Sequence, residues 1–92
     1  DAYLSAADLT HAYLYDADLP NANLTDADLP AAYLYGANLT DADLTNANLI
    51  NANLTNANLY GATLTGATLT GVTWSNTTCP NGNVNVGTTP CA

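Results

Sequence analysis

The chain has 92 residues and eight acidic side chains, all aspartate, with no lysine or arginine and a formal net charge of −8. With no fixed cation it cannot displace counterions from a phosphate backbone, which excludes direct nucleic-acid binding. Alanine supplies much of the 48% nominally apolar content and no long apolar run occurs, so no transmembrane span is encoded, and one small domain is the most this length builds.

The sequence opens at Asp1, already inside a repeat, with no methionine or leader peptide ahead of it; a processed mature chain and a trimmed piece both fit. From Leu4 to Leu69 a leucine falls on every fifth residue, fourteen times in succession, and Trp74 takes the next place. Alanine stands two positions before each leucine, from Ala2 to Ala67, and Val72 precedes Trp74 in the same way. A period of five fits neither a helical face nor a plain alternating strand. It does fit a very short extended segment followed by a turn. The last place of each unit favours turn formers: Asp16, Asn21, Asp26, Gly36, Asp41, Asn46, Asn51, Asn56, Gly61, Gly66 and Gly71. Such units bury no core singly, but stacked coils do. The repetitive region spans residues 1–75, and a non-repetitive tail follows over 76–92.

The units Ala7-Asp8-Leu9, Ala27-Asp28-Leu29 and Ala47-Asn48-Leu49 match the consensus Ala-(Asp/Asn)-Leu-x-x, and the repetitive region resembles the pentapeptide-repeat family. The resemblance implies an all-β solenoid, a right-handed quadrilateral β-helix with four units per coil. That makes about four coils of 20 residues, followed here by a loop-rich C-terminal cap. It also implies that leucine and alanine point inward. Three positions depart from the family pattern: Tyr3, Tyr13 and Tyr33 occupy the slot that usually holds Asp or Asn. Pro20 and Pro30 remove donors at outward positions, which strands of about two residues tolerate.

A 20-residue coil makes residues i and i+20 neighbours. Tyr13 is then expected to stack on Tyr33 and Tyr15 on Tyr35, giving one aromatic face as a candidate interaction surface. Its plainer reading is ladder stacking that only stabilises the coils. Ser5, Thr25, Thr45 and Thr65 form a hydroxyl column. In the column Asp8, Asp28, Asn48 and Thr68, charge fades along the axis. All eight aspartates lie between Asp1 and Asp43, so one half is acidic and the other neutral.

Trp74, in the last repeat, leads into the cap, and Cys79 and Cys91 in the tail are the only cysteines. A disulfide is the expected state and points to an extracytoplasmic or secreted protein; two free thiols or half a metal site are the alternatives. Asn76-Thr77-Thr78 fits the N-glycosylation pattern, and the many threonines suit O-linked sugars, so glycan modification is an open expectation.

No catalytic, cofactor-binding or metal-binding constellation emerges. His11, the only histidine, stands at a repeat corner without partners, and the expected reading is non-enzymatic. A calcium ion between Asp8 and Asp28, and ice binding by Thr63, Thr65, Thr68 and Thr70, are weaker readings than a solvated surface. Two functional readings stand. The first is a structural module that self-associates end to end into a dimer or filament. Its contact is the uncapped ring of Ala2, Leu4, Leu9 and Leu14, because a bare β-helix end leaves backbone groups and apolar side chains uncovered. The alternative, implied by the resemblance, is an acidic DNA-mimicking rod of the topoisomerase-inhibitor type.

Overall fold

The computed structural model describes residues 2–85 and Cys91. Asp1 and the tail residues 86–90 and 92, Pro90 among them, lie outside the described residues. Each unit contributes three extended residues, Ala-x-Leu, and a two-residue corner. The middle residue of each segment pairs in parallel with the residue 20 positions later, from Tyr3 with Asn23 to Asn58 with Thr78. The chain therefore winds as a quadrilateral β-helix. Its first face holds residues 2–4, 22–24, 42–44 and 62–64. The second holds 7–9, 27–29, 47–49 and 67–69; the third 12–14, 32–34, 52–54 and 72–74; the fourth 17–19, 37–39, 57–59 and 77–79.

The period of five follows from complete use of the backbone donors. In the second coil, Asn23 N–H donates back to Ala2 C=O at 2.8 Å, and Leu24 N–H donates forward to Asp43 C=O at 2.8 Å. The corner residue Asp26 donates forward to Thr45 C=O at 2.9 Å, and Ala27 N–H closes the turn on Leu24 C=O at 3.0 Å. One donor per unit remains, that of the first turn residue, Thr25. The Asn23 side chain accepts it at 3.1 Å. Asp8, Asn38, Asp43, Asn48, Asn53 and Asn58 do the same for the N–H two residues on. Asp or Asn in mid-segment thus satisfies a donor that the ladder leaves over.

Corners turn through the left-handed region. Every fifth residue from Ala6 to Asn76 has φ between 54° and 74°, the requirement of a turn with positive φ at its third residue. Asn, Asp and Gly fill most of these places because they tolerate that conformation. Alternation along the segment turns alanine and leucine inward. From Ala22 to Leu59 every one of them is at most 1% exposed.

The sequence period ends at Ser75, but the coil runs on through one more unit. Asn76 is a corner, Thr77 takes the alanine slot and Cys79 the leucine slot, both buried. Thr77 is accommodated because its hydroxyl donates to Leu54 C=O at 2.7 Å. The chain then reverses: Gly82 N–H closes a turn on Cys79 C=O at 2.8 Å, and Gly82 has φ of 90°. A side chain there would crowd the Tyr60 ring. Val84 pairs antiparallel with Thr78, so a hairpin closes the fourth face. A disulfide joins Cys79 to Cys91, and both belong to the same buried cluster as Trp74, which is 1% exposed.

Candidate functional site

Two surfaces of the β-helix stand out among the described residues. On the open side of the first coil, Ala2, Leu4, Leu9 and Leu14, together with Leu19, are only partly buried, while their equivalents one coil later are covered. In the second coil the mid-segment N–H groups of Asn23, Asp28, Tyr33 and Asn38 donate to Ala2, Ala7, Ala12 and Ala17 at 2.8–2.9 Å. The matching groups of the first coil, on Tyr3, Asp8, Tyr13 and Asp18, have no partner among the described residues. At the far end Leu64, Leu69 and Val72 are also partly buried, because the hairpin lies over the fourth face. The donors of Leu64, Gly66, Leu69 and Gly71 likewise have no partner among the described residues. These donors and the first coil's free carbonyls have the arrangement that links successive coils inside the molecule.

The second surface is aromatic. Tyr13 and Tyr33 lie 4.9 Å apart and 8° from parallel, a direct stack across the third face. Tyr15 does not stack flat on Tyr35 as the column spacing suggests; those rings are 6.3 Å apart and tilted by 60°. Tyr15 leans instead toward Tyr33, at 5.7 Å and 30°, and toward Tyr13, at 6.2 Å and 23°. The physical reason is position. Mid-segment side chains leave a flat face in register, whereas residues in the turn diverge as the chain rounds the corner. Tyr13, Tyr15 and Tyr35 are 75%, 53% and 41% exposed.

Carboxylates flank this face on both sides. Asp8 and Asp28 pair mid-way along the second face, and Asp18 pairs with Asn38 on the fourth. The Thr10 hydroxyl and then its N–H hold the Asp8 carboxyl below its usual range; Thr45 does the same, in the same order, for Asp43. Asp18 and Asp28 lack this partner because the residue two places on is proline, which has no N–H to give. Asp18 accepts instead from the Asn38 amide at 3.3 Å.

His11 is exposed at a corner with φ of 57°. Among the described residues, no three of His, Cys, Asp and Glu stand close enough to share a metal ion, and no helix is long and apolar enough to cross a membrane. Asn76 is exposed, but its amide donates to Asn56 at 2.9 Å within a corner column. The donor-capping role of mid-segment Asp and Asn was missed in the sequence. Its signal is the recurring Asp/Asn-Leu-Thr triplet, as in Asp8-Leu9-Thr10 and Asn38-Leu39-Thr40.

A family model described as pentapeptide repeats (8 copies) matches residues 2–41 and 32–71. Among solved structures, the chain is similar to the pentapeptide repeat protein Rfr23 from the cyanobacterium Cyanothece 51142. That match has 51% identity and a TM-score of 0.76, over 77% of this chain and 48% of that one. It is also similar to HetL, a pentapeptide repeat protein involved in heterocyst differentiation regulation in Nostoc sp. strain PCC 7120. Here identity is 38% and the TM-score 0.56, over 90% of this chain and 40% of HetL. The chain thus spans half or less of the length of either. A comparison with curated proteins finds no match.

Proposed function

This chain belongs to the pentapeptide-repeat family and folds as a right-handed quadrilateral β-helix, and from that premise we propose that it is a non-enzymatic interaction module that associates end to end. The observation that supports this reading is the edge of the described coils, whose backbone groups keep the spacing that links one coil to the next inside the molecule. Leu4, Leu9, Leu14 and Leu19 are partly exposed there, while the leucines from Leu24 to Leu59 are at most 1% exposed. A further coil laid in register covers these side chains and supplies partners for the Tyr3, Asp8, Tyr13 and Asp18 donors. Any coil of this fold has the required geometry, whether from a preceding part of the same protein or from a second copy, and the proposal assigns it to a second copy. A head-to-tail arrangement brings the acidic first half against the neutral Thr/Asn-rich end and so avoids facing like charges. The tyrosine face of Tyr13, Tyr15, Tyr33 and Tyr35 serves in this reading as a lateral contact surface. The Cys79–Cys91 disulfide supports an extracytoplasmic location.

The DNA-mimic alternative is disfavoured by where the charge lies. The described aspartates all fall between Asp8 and Asp43, so the last two coils carry almost none of it.

Light scattering across a concentration series tests the association. Self-association that is lost in Leu9→Asp/Leu14→Asp, with the circular dichroism spectrum kept, is the expected result. Monomers at every concentration sink the proposal.

A further inference from the structure

We infer that the tyrosine face is a docking platform for an arginine-bearing segment of a partner protein. The inference rests on the reading of that face as a contact surface and adds the chemistry of its occupant. Tyr13 and Tyr33 form a parallel pair and Tyr15 inclines onto both, so three rings are gathered in one patch in which Tyr13 and Tyr15 are exposed and Tyr33 is half-buried between them. The π faces of tyrosine attract cations, and this chain holds no lysine or arginine that could occupy them.

The flanks point to the same chemistry. Asp8 and Asp28 lie on the face before the rings, Asp16 at the corner directly after Tyr15, and Asp18 on the face beyond. Pro20 and Pro30 leave Asp18 and Asp28 without the backbone donor that engages Asp8 and Asp43. Asp28, and the Asp18 oxygen that does not accept from Asn38, therefore remain available on the two sides of the rings, in the two coils that carry the tyrosines. The later members of the same face, Asn53 and Thr73, are neutral. Phosphate-rich partners are repelled by this surround.

Arginine fits better than lysine. A planar guanidinium stacks on a ring and still presents a fork to a neighbouring carboxylate, whereas an ammonium is a compact, strongly hydrated point charge. Spacing adds a further match. Alternate side chains on one side of an extended peptide are about 6.6 Å apart. The Tyr13–Tyr15 and Tyr15–Tyr35 centroids are separated by 6.2 and 6.3 Å. An Arg-x-Arg segment in extended form sets its guanidinium groups on successive rings.

The test titrates blocked heptapeptides, alternating glycine with arginine, lysine or citrulline, into the oxidised protein while tyrosine ring resonances are followed by NMR. Buried Trp74 is the bystander signal. Saturable shifts are expected on Tyr13, Tyr15 and Tyr33, strongest with arginine and absent with citrulline. Tyr13→Asn/Tyr33→Asn is chosen because asparagine at these places caps the following turn donor, as Asn53 does for Thr55, so the fold is kept. It should weaken arginine-peptide binding about tenfold. Asp16→Asn/Asp18→Asn should weaken it further at low salt. Equal binding of lysine and arginine peptides, undiminished binding to the tyrosine variant, or no saturable shift each overturns the inference. If the tyrosine variant instead alters self-association while no peptide binds, the contact-surface reading stands and the arginine assignment falls.

Discussion

The left-handed corners give a prediction that the fold itself calibrates. Ala31 sits at a corner with φ of 55°, between the corners Asp26 and Gly36 along the chain. A Cβ in that region costs about 1–2 kcal/mol. Ala31→Gly removes this cost and gives back about 0.4–1 kcal/mol to the more flexible unfolded chain. The net expectation is a stabilisation of about 0.5–1 kcal/mol, which raises Tm by about 2–8 °C in a domain of this size. Gly36→Ala is the reverse experiment on the adjacent corner. It adds the strain at φ of 70° and drives the new Cβ into the Asp16 carboxylate on the coil before. It should cost about 1–2 kcal/mol, with Asp16 swinging aside. Thermal and urea unfolding followed by circular dichroism measure both. If Ala31→Gly destabilises, or Gly36→Ala is neutral, positive φ does not limit these corners and the account of the five-residue period is wrong.

The other predictions concern core, acid and cap. Leu34→Ala, at a site 1% exposed, should cost about 3–5 kcal/mol. Leu9→Ala on the open coil should cost clearly less in the monomer, and equal losses in dilute urea titrations mean that something covers the first coil. Asp8 and Asp43 have lowered folded-state pKa values, so their contribution is complete above the ordinary carboxylate range and is lost as pH falls through the folded values. Asp8→Asn/Asp43→Asn keeps the acceptor oxygens and should flatten the stability profile below about pH 4; an unchanged acid limb refutes the assignment. Reduction of Cys79–Cys91, which are 12 residues apart, should cost about 3 kcal/mol. It should also shift Trp74 fluorescence to the red, and an unaltered spectrum means that the bridge does not hold the cap on Trp74.

The architecture was legible because it is written at every fifth residue. Alanine and leucine recur without a slip, and the resemblance to pentapeptide repeats supplied the closure after four units that the i to i+20 pairing shows. The candidate surfaces were legible as columns: Tyr13 on Tyr33 follows from a spacing of 20 alone. The lean of Tyr15 toward Tyr33 did not follow, since turn residues take directions that a linear count does not contain. Nor did the extra unit Thr77-Thr78-Cys79, which breaks the Ala-x-Leu rule. It is admitted because a buried threonine finds the Leu54 carbonyl and cysteine fits a leucine slot at the end of the stack.

Periodicity by itself determined which side chains are inside, because burial of leucine and the geometry of a short strand and turn are local demands repeated along the chain. What only the folded stack decided is which polar groups are left over. Asp8 and Asp43 are engaged by the threonine two places on, whereas Asp18, followed by Pro20, takes the Asn38 amide of the next coil. A coil's donors are satisfied or not according to what lies above and below it. Hydrogen bonds between coils join residues about 20 apart, and their balance is struck only when the turns are laid on one another.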